Sequence, residues 1–587
     1  MNKVTTTTLT ASKPFAIARK ELLLEQYVKD VLGGRIIACK KVKQACERHL
    51  RDIKKQGTKK FPYVFDIEKA YRPIEFIEKY CKPSKGDFDR LKLLSWQHFV
   101  IGSIYGWVHK DTGLRRFKAA IIFVARKNGK SAIQSGLAAY GASKDGENGA
   151  DVYVLANSMK QARKTVFEEC QKMIKKSPVL KRRFRVLRDG IYYDKSMSTI
   201  EPQASDSEKL DGLNCHLGLF DEIHEYKDYN LINVIKNSTG ARRQPLIIYT
   251  TTAGYQLDGP LMDYYEQGAD VLDGANEDDR TFYYMAELDE EDVEALAKDK
   301  VNYKHFIKAN PSLGVTIQLN DMIEEWETRK LIPKERSDFI TKRLNVFVQS
   351  GNESFLSFEV IKRNSKAVDY DEFTGKSCVG SFDLSDSEDF TSACLEFPII
   401  DTGEVVALSH SWIPETKVIL DNEKIPYREY EELGLLTIVP GEYVKKEYIY
   451  DWFVEQGKKY SIELIAYDPA KAEWLVESLQ AHGFNMHVVR QGHLTLGPAV
   501  DDIKERFIDG NVIFNNNRLF RWYINNVKMV EDRNRNKLPQ KQGRYRKIDG
   551  FAAFLNAHTV VMKKFAKKQE ANGTVSFISM KDIMRRG

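Results

Sequence analysis

Between Leu94 and Thr252 the chain alternates short, uninterrupted apolar runs with longer helical stretches. The runs are Ala119–Ala125, Val152–Ala156, Leu217–Phe220 and Leu246–Thr250. An apolar run without polar alternation suits a strand buried on both faces of a parallel sheet. Helix candidates lie between them, among them Ser158–Lys176, with Ser158 placed to act as its N-cap. Strand and helix in turn predict an α/β sheet with right-handed crossovers. Ahead of this region, residues 1–93 read as a mostly helical, basic extension, with turn signals at Gly33-Gly34, Pro73 and Pro83. Behind it, residues 256–350 are first acidic and then helical, and read as a lid and linker.

A second pattern begins after Phe355. Cys378–Asp383, Ser392–Phe397 and Val405–Trp412 read as successive strands, Leu464–Tyr467 as a later one, and Ala470–His482 as the helix after it. Three early strands followed by mixed α/β predict an RNase H-like layout over 355–562, with 563–587 as a tail. There is no internal repeat.

Composition narrows the class. At ~100–200 residues per domain, a chain of 587 residues holds two or three domains, and 42% hydrophobic content supplies ordinary cores. No apolar run approaches the ~20 residues of a membrane span. The opening MNKVTTTTLTASKPF has one Lys and no long apolar core, so it is not expected to act as a signal peptide. Seven scattered cysteines form no C-x-x-C pair, which argues against zinc and predicts a reduced, cytosolic setting. The net charge of +7 is uneven. Lys172–Arg188 holds eight basic residues and no acidic ones, Lys528–Lys547 eight against two, and Arg35–Lys60 ten against two. Glu277–Asp299 reverses this, with ten acidic against two basic. Any one basic cluster could be a solvated helix face. Three of them suit a phosphate backbone.

The first candidate chemistry lies where Ala119–Ala125 runs into Arg126-Lys127-Asn128-Gly129-Lys130-Ser131 and then a helix. That is the strand–loop–helix context of a phosphate loop, whose backbone N–H groups and helix N-terminus face an anion. Lys130 would neutralise β/γ charge and Ser131 would hold Mg²⁺. The first Gly of the usual pattern is missing, since Val124 stands there. About ninety residues later Leu217–Phe220 leads into Asp221-Glu222, a Walker B arrangement. Asp221 would bind Mg²⁺, and Glu222 would orient or activate the attacking water. The next strand ends in Thr250-Thr251-Thr252-Ala253-Gly254, where a hydroxyl such as that of Thr251 can sense a γ-phosphate, although a plain strand-end turn reads the same. Gln97, after Trp96, can offer both a donor and an acceptor to an adenine edge.

The second candidate chemistry rests on three aspartates. Asp383 and Asp468 end strands, and Asp549 opens a helix behind a basic run. Carboxylates crowded at the rim of a buried sheet are costly unless cations balance them. Two Mg²⁺ or Mn²⁺ ions ~3.5–4 Å apart would activate a water and stabilise the leaving oxygen of a phosphodiester. Asp386 or Asp389 could add a ligand. Read separately, the three are ordinary strand-end or N-cap aspartates.

Taken together, LLSWQHF, VARKNGKSAIQSGLAAY, LDGLNCHLGLFDEIHEY, IIYTTTAG, GSFDLS, IAYDPA and KIDGFAAF resemble the large terminase subunit of tailed bacteriophages, in the branch whose phosphate loop reads R-K-N-G-K-S. The resemblance spans about residues 90–560. It implies a P-loop NTPase domain at 94–255 with a mostly parallel sheet, followed by an RNase H-like nuclease. It implies an ATP-driven pump that moves double-stranded DNA into a procapsid and cuts concatemeric DNA. It places Gln97 at adenine and Arg126 at the γ-phosphate. It also implies a homo-oligomeric ring on the portal protein, often a pentamer, a small terminase subunit as partner, and work in the infected host's cytoplasm without a membrane. Relatives take an arginine from the neighbouring subunit shortly before the Asp-Glu strand. Here Ser207-Glu208-Lys209-Leu210-Asp211-Gly212 has none, leaving Lys209, Arg163, Arg242 and Arg243 as candidates. Two rival readings are a helicase or remodelling ATPase with a non-catalytic C-terminal half, and a nucleotide-gated capsid or portal assembly protein.

Overall fold

The structure, a computed structural model, describes residues 18–84, 90–205, 212–255, 259–348, 355–356, 358–384, 390–419, 425–531, 537–541 and 547–572. The chain divides into two compact units, Met1–Val348 and Gln349–Gly587.

An eight-stranded sheet runs through the first unit, in the order Thr281–Met285, Ala119–Phe123, Leu246–Thr251, Cys215–Asp221, Asp151–Ala156, Ser198–Ala204, Ile191–Tyr193, Arg185–Val186. The first six strands are parallel neighbours. The last two pair antiparallel, so the sheet is mixed. A tight turn makes the reversal: Leu187 N donates to Gly190 O at 2.9 Å, and Asp189-Gly190 supplies a common hairpin signal. The strand Thr281–Met285 lies inside the stretch read as an acidic lid. Its apolar run TFYYM is short, and the carboxylates on both sides mask it.

The predicted helix Ser158–Lys176 is broken in the middle. Met159–Ala162 and Glu168–Lys176 are α-helical, and a π-turn, Arg163–Phe167, joins them. Ser158 caps the first turn by accepting from Gln161 N at 3.4 Å. Such π-bulges cost hydrogen-bond geometry and are found mostly at functional sites. Within the bulge Thr165 Oγ1 donates to Gln161 O at 3.0 Å, and the same hydroxyl lies close enough to Asp221 to favour its ionised form.

The N-terminal helices Ala18–Leu32, Lys40–Lys55 and Ile67–Tyr80, of which only the second is basic, belong to this same unit. Tyr27 and Tyr284 share a hydroxyl–hydroxyl bond of 2.8 Å. Fully buried Arg116 donates to Asp52 at 2.7 Å and to the Asp279 carboxylate at 2.7 Å. A buried guanidinium is tolerable only with such partners. Helices Leu319–Arg329 and Pro333–Arg343 form a small separate core in which Trp326, Phe306 and Phe339 pack together.

The second unit holds a seven-stranded sheet: Leu436–Val439, Glu404–Pro414, Thr391–Ile399, Ser377–Asp383, Ser461–Tyr467 and Met486–Val488, with Val512–Ile513 added to Glu404–Pro414. The three early strands form an antiparallel meander, and Ser461–Tyr467 joins in parallel. Period-two alternation sorts the strand residues between two cores. Val379, Cys394 and Val405 face one, and Cys378, Ala393, Leu395 and Val406 the other. The helix Asp549–Asn572 packs on the first face, where Ser381 Oγ donates to Ala553 O at 2.6 Å. It continues past residue 562, where the tail was drawn, because Phe565 still packs on the core and lies under the Arg506 guanidinium, 3.9 Å from ring centre. The helix expected from Ala470 starts at Glu473. Asp468 Oδ1 accepts from Ala470 N at 2.9 Å and so holds a turn there.

Candidate functional site

The phosphate loop turns on two left-handed residues, Lys127 (φ 68°) and Gly129 (φ 83°). Gly129 caps the helix Lys130–Ser143. A Cβ on Gly129 would come within 3.3 Å of Gln97 Nε2, so Gln97 packs directly against the loop. Its other end is engaged too, since Gln97 Oε1 accepts from Leu94 N at 2.8 Å and caps the helix Ser95–Gly106. The Asn128 side chain is fully buried and braces the loop from behind, leaving its backbone N–H as the group available to a phosphate. The side chain donates to Ala125 O at 3.1 Å and to Asn310 Oδ1 at 3.0 Å, and accepts from Ser312 N at 3.0 Å. Thr316 Oγ1 holds Lys127 O at 2.8 Å, and Arg126 N donates to Lys342 O at 3.0 Å. Val124, standing where the usual first Gly is absent, prolongs the strand by donating from its N–H to Thr251 O at 3.1 Å. The loop is therefore held from outside by the segments around 309–316 and 342.

Lys130 is buried and donates to Val124 O at 2.8 Å and Ala125 O at 3.2 Å. Burial lowers its pKa, opposed by the charges of Glu222 and Asp221. Ser131 follows on the first helical turn. Asp221 ends a wholly buried strand and accepts from Thr250 Oγ1 at 3.2 Å. Burial first, and then the neighbouring Glu222 charge, raise its carboxyl, while Lys130 works the other way. Glu222 holds a left-handed backbone, φ 50°. Such a conformation costs ~1–3 kcal/mol in a side-chain-bearing residue and clusters at active sites. Burial works to raise Glu222, but Lys130, His224 and Arg126 outweigh it and leave the carboxyl lowered.

His224 was not picked out from the sequence. Its Nδ1 lies 3.0 Å from Glu222 Oε2 and 3.2 Å from Thr251 Oγ1, and its backbone N–H donates to the same hydroxyl at 3.2 Å. Thr251, expected to face phosphate, is thus tied to the Asp-Glu turn. Gly254 makes room, since a Cβ there would lie 2.9 Å from the His224 ring. The available signal was the D-E-I-H spacing, which sets a titratable ring two residues past the acid.

The arginine candidates separate. Arg242 is committed inside the unit, to Asn214 O at 3.0 Å, Gly149 O at 2.6 Å and Asp151 at 3.2 Å. Arg163 pairs with Asp189. Arg243 is exposed. Lys209 lies outside the described residues.

In the second unit Phe382 pairs with Tyr467, which puts Asp383 and Asp468 side by side at neighbouring parallel strand ends. Asp549 is the first residue of the helix that packs on this strand, and Asn556 of that helix donates to Phe382 O at 3.3 Å. The three carboxyls share one electrostatic neighbourhood. Burial, then Asp549, then Asp468 push Asp383 well above the usual range. Burial pushes Asp549 up to about 6, against its own backbone N–H and the charges of Lys547 and Lys541. As the side chains stand, no group of three His, Cys, Asp or Glu among the described residues closes on a common metal position. Asp468 is turned instead towards Ala470 N. Asp386, Asp389 and most of the basic run before Asp549 lie outside the described residues.

One further cluster gave no sequence signal. His558, on the same helix as Asp549 and fully buried, sets Nδ1 2.6 Å from Glu396 Oε1 and Nε2 2.7 Å from Asp502 Oδ2. Burial disfavours the imidazolium, but the two carboxylates outweigh it and raise His558 to about 9.

A phosphate loop facing a strand-end Asp-Glu in one unit, and three carboxylates at the rim of a mixed sheet in the other, define an ATPase-like unit joined to a nuclease-like unit. The family model for the terminase large subunit ATPase domain matches residues 95–269, and that for the terminase large subunit endonuclease domain matches 275–565. The chain belongs to the terminase large subunit family. The second match begins inside the first compact unit. The strand Thr281–Met285 pairs along its whole length with Ala119–Phe123, so structurally it belongs to the ATPase sheet. The terminase large subunit of Lactococcus phage SK1 is 22% identical over 502 residues, 81% of this chain and 88% of that protein. That of Enterobacteria phage HK97 is 23% identical over 500 residues, 83% and 94%. Protein YmfN of Escherichia coli K12 is 25% identical over 362 residues, 59% and 77%. The crystal structure of the HK97 bacteriophage large terminase aligns with TM-score 0.46 and 21% identity over 84% of this chain and 99% of that one.

Proposed function

We propose that ATP hydrolysis in the first unit drives double-stranded DNA into a procapsid, and that an RNase H-like metal-dependent endonuclease in the second unit cuts the concatemer. The observation that carries the motor half is the shared charge field of Lys130, Arg126, Asp221 and Glu222. In this reading ATP phosphates draw Lys130 away from the Val124 and Ala125 carbonyls, and the loop N–H groups from Lys127 to Ser131 cradle them. Gln97 reads adenine, and Arg126 neutralises γ-phosphate charge. Glu222, kept ionised by Lys130 and His224, orients the water. Water oxygen bonds to the γ-phosphorus as the bond to the β–γ bridging oxygen breaks, and the water's proton passes to Glu222. Asp221 fits a divalent cation, because its buried carboxyl sits beside the Glu222 charge and only the Lys130 ammonium offsets the two. Ser131 and Asp221 would hold Mg²⁺, which screens the phosphate charge.

In the second unit the oxygen-only donor set of Asp383, Asp468 and Asp549, and the mutual repulsion felt at Asp383, fit Mg²⁺ or Mn²⁺. Such ions would activate water and stabilise the leaving oxygen. The chain's own part is to hold these carboxylates at adjoining strand and helix ends, and Lys541 and Lys547 add positive charge beside Asp549. The proposed partners are duplex DNA, a portal protein, a small terminase subunit and further copies of this chain in a ring, in the cytoplasm of an infected cell. No described helix is long and apolar enough to cross a membrane. The test is plasmid cleavage with and without Mg²⁺ or Mn²⁺, alongside ATP turnover, for the wild type and Asp383→Ala. Loss of cleavage with turnover intact is expected. Undiminished cleavage would refute the assignment of the second site.

A further inference from the structure

The helix Lys130–Ser143 begins at the phosphate loop and ends, ~20 Å away at 1.5 Å per residue, at a second charged concavity. This cavity, of about 260 Å³, lies among the helix Ile67–Tyr80, the turn at Gly113–Arg115, and residues 144–147 and 243–244. Five cations line it: Lys69, Arg72, Arg115, Lys144 and Arg243. Two carboxylates oppose them, Asp145 and Glu147.

Both carboxylates are already engaged. Asp145 accepts from Arg115 Nη2 at 3.0 Å and from His216 Nε2 at 2.8 Å; burial works to raise its carboxyl, but Arg115 and His216 outweigh it and leave it lowered. Glu147 lies 3.8 Å from Arg242. Lys69 donates to Gly113 O at 2.5 Å. That leaves Arg72, Lys144 and Arg243, all exposed, whose side chains make no ion pair or hydrogen bond among the described residues. Like charges that converge on a concave wall repel one another, and such a wall focuses field on an incoming anion. The buried Arg115–Asp145–His216 network fixes the floor, so the three free cations stand on a rigid base. Lys144, just past the helix C-terminus, offsets the negative end of that helix.

We propose that this cavity binds one or two phosphate groups, at a site separate from the phosphate loop. The volume argues for the size. Sites for whole drug-sized ligands run ~300–1,000 Å³, so a complete nucleotide is too large while phosphate, pyrophosphate or a short backbone segment fits. Two of the three free cations, Arg72 and Arg243, are arginines, whose planar forks suit phosphate oxygens. The phosphate comes either from the DNA backbone or from a free ion. Because the site adjoins the far end of the phosphate-loop helix, its occupant touches the same rigid element that carries Lys130.

The experiment uses the full chain in saturating ADP, so that the phosphate loop is filled. Inorganic pyrophosphate and a short DNA duplex are titrated against the wild type and against the double variant Arg72→Ala/Lys144→Ala. Both positions are exposed, and an unchanged melting curve verifies the fold. The same pair is repeated on a Lys130→Ala background, which removes the loop's lysine from the comparison. An affinity loss of at least ~5-fold for pyrophosphate identifies a free-ion site. A loss for the duplex, with a salt slope lowered by ~1–2, identifies a backbone site. Unchanged affinity for both probes overturns the proposal. So does weakened binding of a glutamate-rich peptide while both phosphate probes are unaffected, because the cavity would then be a dock for protein carboxylates. None of these readouts depends on ATP turnover or cleavage, so the proposal stands or falls apart from the packaging reading.

Discussion

The two acidic sites are built on opposite principles. In the first unit Glu222 has Lys130, His224 and Arg126 around it, and they outweigh the cost of burial. In the second, Asp383 faces burial, Asp549 and Asp468, all acting in the same direction. Glu222 takes its counter-charge from side chains, whereas Asp383 feels only burial and like charge, the Lys547 and Lys541 charges of the second site acting on Asp549. A site that neutralises itself can be organised before its ligand arrives. A site whose acids repel one another is suited to an external cation.

The largest effect expected is at Glu222. Glu222→Gln keeps size and hydrogen bonding but cannot take a proton, so ATP turnover should fall by ~10²–10⁴ while nucleotide binding persists. Cleavage of plasmid by the second unit should be unaffected in the same preparation. Turnover at the wild-type rate would remove Glu222 from its role and, with it, the contrast between the sites.

The next effect concerns a buried ionic cluster of the second unit that, unlike Asp383, has its own cation. His558 is raised to about 9 and Asp502 lowered to about 2. The sign follows from linkage. A raised histidine stabilises fully below its unfolded value of ~6.5 and loses that contribution as pH rises through about 9. Asp502 contributes above its unfolded ~3.9, and loses it as pH falls through about 2. The second unit should therefore lose about 2–3 kcal/mol between pH 6.5 and 10. Proteolytic opening of the helix Asp549–Asn572 under mild urea measures this. His558→Gln should flatten the profile, and a flat wild-type profile would mean that the pair does not hold the helix.

The same clusters show what the sequence made legible. Asp221, Asp383 and Asp468 stand at the ends of apolar runs, and Lys130 and Asp549 where a loop opens a helix; each is a local signal. His224 and His558 depend on partners far off in the chain: Thr251 for the first, Glu396 and Asp502 for the second. The D-E-I-H spacing sets the His224 ring near Glu222 but says nothing of Thr251, and no spacing points to His558. The sheet was legible where strands were long and apolar. It was not where TFYYM sat between carboxylates, nor where a four-residue turn reversed the chain at 187–190. The π-turn at Arg163–Phe167 has the composition of an ordinary helix, and only packing reveals it.

A smaller effect is expected at His224. It bridges Glu222 to Thr251 without a role in bond making, so His224→Ala should lower kcat by about 10-fold, ~1.4 kcal/mol, with KM little changed. His224→Asn, which keeps a donor at similar reach, should recover part of the loss. A KM effect equal to the kcat effect would show instead that His224 supports binding of nucleotide.

The smallest effect is the one that separates the two designs most cleanly, because its sign differs between them. Removing a charge that is paid for by neighbours costs stability, and removing one that is repelled by neighbours gains it. Asp383→Asn should therefore stabilise the metal-free second unit, by about 1 kcal/mol or ~2–4 °C in Tm for a unit of this size, while cleavage is lost. Glu222→Gln, an equally conservative acid-to-amide change, should destabilise the nucleotide-free first unit, because Lys130 then keeps its burial without the carboxylate charge that most opposes it. Adding Mg²⁺ should erase the Asp383→Asn advantage, since the wild type would then gain the cation it lacks. Two melting curves of the same sign would mean that the repulsion at Asp383 is relieved within the chain, and that the second site, like the first, carries its own counter-charge.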